Sequence, residues 1–105
     1  MRVIFSTKAG QDLAGVFGYI SGSLHNNIAA HNIVEKILHL TQKLPAFPEM
    51  GSSLKIVDIK LERYRYLIAD NYLLVYRVTD EEVLIVRILY AKSDYVQLLQ
   101  GLINR

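Results

Sequence analysis

The 105-residue chain contains no cysteine. Disulfide staples and thiolate metal sites are excluded with it, and a reducing, cytoplasmic setting is the expected one. Long apolar runs are missing too: nothing approaches the roughly 20 residues of a membrane-crossing helix, and the stretch after Met1 is too short for a secretory signal. Neither a membrane partner nor secretion is expected. Charge of one sign is scarce, since twelve basic against ten acidic residues leave +2, which excludes a general nucleic-acid coat and an acidic tail but allows a local patch. Repeats, low-complexity segments and Gly/Ser linkers are absent. So are the phosphate-binding glycine loops and the Gly-x-Ser-x-Gly elbow, which leaves nucleotide binding and serine-hydrolase chemistry without a signal.

What is present suits one globular domain over residues 1–105. A hydrophobic fraction of 51% supports a single core, and two cores in separate halves would each be too small without staples. The first half reads as helical and the second as strand-rich, an α+β layout. Arg2 to Phe5 is a short strand, and Ser6 or Thr7 caps a helix with Ala9, Leu13, Val16, Phe17, Ile20 and Leu24 at helical spacing. Gly15, Gly18 and Gly22 share a face of that helix at a cost of about 1 kcal/mol each. They are either tolerated weakness or a place where the second helix or a partner approaches closely.

A polar turn at Leu24-His25-Asn26-Asn27 leads to a second helix from about Ile28 to Leu44, with Ala30, Ile33, Val34, Ile37, Leu40 or Thr41, and Leu44 buried. Pro45 and Pro48 end it, completing an antiparallel helical hairpin. Val57, Ile59 and Leu61 alternate with Asp58, Lys60 and Glu62, which predicts a half-buried strand. An antiparallel meander follows from Tyr64–Ala69, Tyr72–Val78 and Val83–Tyr90, turning at Asp70-Asn71 and at Thr79–Glu82. The last of these strands is apolar on both faces apart from Arg87 and is expected at the centre of the sheet, under helices. Ser93 is expected to cap a short C-terminal helix with a stripe of Tyr95, Leu98, Leu99 and Leu102.

Two constellations invite chemistry. His31, Glu35 and His39 look like metal ligands, but the two histidines lie about 12 Å apart along a helix axis at ~1.5 Å per residue, too far to share one ion. A solvated face is the better reading. The sheet is dense in cations and phenols, including Arg63, Tyr64, Arg65, Tyr66, Tyr72, Tyr76, Arg77, Arg87, Tyr90, Lys92 and Tyr95. Arginine forks hold phosphate and tyrosines stack bases, so such a surface could hold a single nucleic-acid strand or stabilise a phosphorane-like transition state. Against this, Lys55–Asp94 carries as many carboxylates as cations, and strand tyrosines pack well on their own account.

Three segments, in order, resemble the RelE/ParE toxin superfamily of type II toxin-antitoxin systems, closer to its ParE-like members. They are Leu44-Pro45-Ala46-Phe47-Pro48-Glu49-Met50-Gly51, the hairpin Arg65–Val78, and Val86-Arg87-Ile88-Leu89-Tyr90-Ala91-Lys92-Ser93-Asp94-Tyr95. The resemblance implies the superfamily's fold: an N-terminal strand, a helical hairpin on an antiparallel sheet and a C-terminal helix. It also implies two alternative activities, which fold alone does not separate. ParE-type members poison DNA gyrase without catalysis, whereas RelE-type members cut messenger RNA on the ribosome. An inactive member that only binds its partner is a third possibility. The nuclease type carries an arginine after the tyrosine aligned with Tyr72, where this chain has Leu73; losing one such donor typically costs about 3 kcal/mol of transition-state stabilisation. The ParE-like ending departs as well, with Tyr90 for its usual histidine and Lys92 for its usual arginine.

The resemblance implies target binding through Arg65, Arg77, Arg87 and Lys92. For a nuclease it implies catalysis by Arg65, Arg77 and Lys92 with Tyr90 or Tyr95. A cognate antitoxin is expected against the Gly15/Gly18/Gly22 face or the sheet, or against Leu98, Leu99, Leu102 and Ile103 at the end of the last helix. Operator DNA would be met only through the antitoxin complex, and no metal or cofactor is implied.

Overall fold

The computed structural model describes residues 1–103. Strand β1 (Arg2–Phe5) lies at one edge of a five-stranded sheet and pairs in parallel with β5 (Glu82–Tyr90), Val3 opposite Val83 and Phe5 opposite Ile85. Ser6 then turns the chain into α1 (Thr7–Gly18): its Oγ accepts from the Ala9 N–H at 3.0 Å and donates to the Val86 carbonyl at 2.9 Å. The hydroxyl therefore caps the helix and ties it to the sheet.

Helix α1 does not run on to Leu24 as its apolar spacing predicts. It gives way to a π-turn, Tyr19–Ser23, closed by the Leu24 N–H on the Tyr19 carbonyl. Gly18, just before this turn, and Gly22, within it, are poor α-helix formers, and the wider winding shifts the helical phase so that Leu24 stands exposed. His25 adopts a φ of 51°, and the Asn26 Oδ1 caps α2 (Asn27–Lys43) by accepting from Ala29 N–H at 3.0 Å. Ala30, Ile33, Ile37 and Leu44 are buried as expected; of Leu40 and Thr41, Thr41 goes fully inside and satisfies its hydroxyl on the Leu38 carbonyl.

The stretch 57–62 is not a strand. Only Ser52–Ser53 (β2) pairs, against Arg65 and Tyr66, and two 3-10 turns follow at Leu54–Ile56 and Ile59–Leu61. Leu54 and Leu61 are buried, while Ile56 and Ile59 are 84% and 65% exposed. Ser53 and Asp58 cap these turns locally, a bond that competes with extended pairing. The apolar alternation thus arose from two capped turns in succession.

Strands β3 (Tyr64–Ala69) and β4 (Tyr72–Val78) fall where the pattern puts them, joined by Asp70 at a φ of 52°, and the sheet order is β1-β5-β4-β3-β2. Alternation divides the side chains between two cores. On one face Leu74, Tyr76, Val83, Ile85 and Ile88 pack under α1 and α2. On the other Leu73, Val75, Val86 and Leu89 pack under Leu54, Leu61 and the closing helix α3 (Tyr95–Ile103). The cap of α3 is Asp94, whose Oδ1 accepts from Gln97 N–H, while Ser93 is drawn back onto the Tyr90 carbonyl. No helix among the described residues is long and apolar enough to cross a membrane.

Candidate functional site

A cleft of about 720 Å³ opens where the end of α1, the π-turn, the start of α2 and the β3–β4 turn meet. Its apolar wall is Val16, Ile20, Ala29, Ile33 and Ile88, and its rim carries Tyr19, Tyr72, Tyr90 and Asp70. Tyr72 and Tyr90 face each other across β4 and β5, their rings tilted at 52° with centroids 5.7 Å apart. Burial is the main cause that pushes the Tyr72 phenol above its ordinary value, with the neighbouring phenols of Tyr90 and Tyr19 adding to it. At neutral pH the Tyr72 phenol is therefore a neutral hydrogen-bonding aromatic and not a base. Asp70 at the rim is held by Lys36 of α2. A concave apolar wall with a tyrosine rim suits the apolar side of an amphipathic helix, because phenols supply contact area and a polar handle together.

Of the site residues singled out from sequence, Tyr72, Tyr90 and Gly15 meet at this cleft and the others do not. Gly15 lines the cleft, but nothing lies within 4 Å of where a Cβ would stand at Gly15, Gly18 or Gly22, so the second helix does not use that face. Leu99 and Leu102 are buried in the second core, which withdraws them from any exposed surface on α3 and leaves Leu98, at 42% exposure, and half-buried Ile103. The packing of so short a helix needs both leucines.

The cations are dispersed by register. Arg65 lies on the α1/α2 face, opposite Tyr76, and Arg77 on the other, opposite Tyr64. Arg65 is occupied: its Nη1 donates to the Gly51 carbonyl at 2.7 Å and to that of Glu49 at 3.4 Å. Tyr76 holds the same loop, its hydroxyl accepting from Gly51 N–H at 2.9 Å and donating to the Pro48 carbonyl at 2.8 Å. A Cβ at Gly51 would sit 2.7 Å from that hydroxyl and from the Tyr66 carbonyl, so only glycine fits. The Phe-Pro-Glu-Met-Gly segment is thus a clamped loop. Burial raises the Tyr76 phenol's pKa, against the lowering effect of the Gly51 N–H and Arg65.

Arg87 is paired as well. Its guanidinium grips Asp12 in two bonds, Nε to Oδ2 at 2.8 Å and Nη2 to Oδ1 at 3.1 Å, with both side chains 15% exposed. Asp12 Oδ2 also accepts from Ile88 N–H at 2.9 Å, so the carboxylate completes the edge of β5 beyond the end of β1. Sequence reading missed Asp12, although a signal existed: it is the one acidic residue before Glu35, facing a lone arginine in an apolar strand. Lys92 is exposed on the β5–α3 turn beside exposed Tyr90, and Tyr95 is half-buried over the second core. Among the described residues no group of three His, Asp or Glu side chains could hold a metal ion, and the His31 ring meets Phe17 edge-on.

A family model described as ParE toxin of type II toxin-antitoxin system, parDE, matches residues 3–95. No curated protein matches the chain. A solved structure titled "Chromosomal ParDE TA system from P. aeruginosa" superposes with a TM-score of 0.72 at 20% identity, over 88% of this chain and 97% of that one. At that identity the likeness concerns the fold.

Proposed function

The chain belongs to the ParE toxin family of type II toxin-antitoxin systems, and from that premise we propose that it arrests growth by binding DNA gyrase, without catalysis, and that a cognate antitoxin silences it. The observation that carries the choice against RNA cleavage is the dispersal of the cations. Stabilising a phosphorane needs several donors aimed at one point. Here Arg65 is bound to backbone, Arg87 to Asp12, and Arg77 lies across the sheet from Arg65. The position where nuclease-type members carry arginine is Leu73, 7% exposed in the second core.

For the antitoxin, the tyrosine-rimmed cleft supports a helix-in-groove mode, with apolar anchors meeting Val16, Ile20 and Ile33. Contact with operator DNA then passes through the antitoxin complex, and the compartment is the cytoplasm. The test is to add the purified chain to gyrase supercoiling and to cell-free protein synthesis in parallel. Supercoiling should fail while translation continues; cleaved messenger RNA with intact supercoiling reverses the proposal.

A further inference from the structure

We infer that the two 3-10 turns, Leu54–Ile56 and Ile59–Leu61, form the surface by which this toxin grips the protein it disables, and that the matching surface is an apolar pocket ringed by carboxylates. This rests on the toxin reading above. Leu54 and Leu61 anchor the segment in the second core, which leaves Ile56 and Ile59 standing in solvent at 84% and 65% exposure. The segment is held at both ends. Ser53 Oγ accepts from Lys55 N–H at 3.2 Å and donates to the Glu62 carbonyl at 3.3 Å, and Asp58 Oδ1 accepts from Lys60 N–H at 2.9 Å. Binding through it therefore orders little new backbone.

Its charge is complementary to carboxylates. Lys55, Lys60 and Arg63 are exposed and make no ion pair among the described residues. Arg77, beside Tyr64 on the same face of the sheet, makes none either. The segment's two carboxylates, Asp58 at its cap and exposed Glu62, are outnumbered by Lys55, Lys60 and Arg63, and Arg77 adds a further cation. Isoleucine offers neither a face for a base nor a donor for a phosphate, so the apolar anchors select a protein over a nucleic acid. The place also suits a second partner. These turns lead into the start of β3, whereas the cleft lies past its far end at Asp70 and on the opposite face. Six strand residues span ~20 Å, so an occupant of the cleft leaves this surface free.

The experiment induces wild type and an Ile56→Asp/Ile59→Asp variant at matched levels, with thermal melting and capture by the co-expressed cognate antitoxin as controls. The variant should melt like wild type, bind antitoxin equally and require at least about tenfold more protein to arrest growth, the loss expected when anchors of an interface are removed. Arrest at the wild-type dose overturns the proposal. Parallel loss of antitoxin capture also overturns it, assigning the surface to the antitoxin. A Lys55→Glu/Lys60→Glu variant should weaken arrest similarly, and full potency in it overturns the carboxylate ring. A wild-type chain that leaves growth untouched strikes the toxin reading itself, an outcome read before any variant is compared.

Discussion

The two faces of the sheet are covered by different means. The α1/α2 face is pinned by polar contacts that reach the backbone: Asp12 on Ile88 and Arg87, Ser6 on Val86, Tyr76 and Arg65 on the 48–51 loop. The other face is held mostly by leucines, with caps that act within the covering segments. Directional bonds fix where a helix sits, whereas leucine packing mainly fixes that something sits there. The pinned side has a defined cleft, and the leucine side presents exposed anchors on short turns.

Removing a pin should break the comparison hardest. Asp12→Ala leaves the Arg87 guanidinium largely buried and unpaired and strips Ile88 N–H of its acceptor, so denaturant titration should show a loss of about 3–5 kcal/mol. On the other face, Leu99→Ala should cost about 2–4 kcal/mol by cavity formation, read by the same titration. Tyr76→Phe comes next, at about 1–3 kcal/mol, because Gly51 N–H and the Pro48 carbonyl each lose a partner.

That variant also tests a pH effect. The Tyr76 phenol's folded pKa is raised above 10.0, so the folded state holds the proton longer. Its contribution is complete below pH 10 and is lost as pH rises through the folded value. Wild-type stability should therefore fall on the alkaline side, and Tyr76→Phe should fall less steeply, with Tyr72 accounting for part of the remainder. The smallest effect sharpens the contrast: Leu98→Ser, on the exposed side of α3, should change stability by less than about 0.5 kcal/mol in a thermal melt.

Much of the fold was legible. β3 and β4 begin and end where their apolar runs do, because Asp70 supplies the positive φ that a tight turn needs. Residues 57–62 were not legible as turns: alternating and capped-turn arrangements ask for nearly the same apolar positions, and the choice depends on Leu54 and Leu61 finding one core together. The cleft was hidden for a related reason. The cleft joins Tyr19 at the end of α1 to Tyr72 and Tyr90 on neighbouring strands, and the π-turn that follows Tyr19 resets the phase of Ile20 and Leu24, which line the same cleft.

The sequence by itself determined the α+β class, the helical hairpin, the meander and the wording shared with the toxin family, because each is written in local periodicity, caps and turn residues. Tertiary structure alone decided which cations are free. Arg65, Arg77 and Arg87 look alike in one dimension, but strand alternation sends the first two to opposite faces and a distant Asp12 neutralises the third. Pairing across 75 residues is a matter of register and packing, which no local pattern encodes.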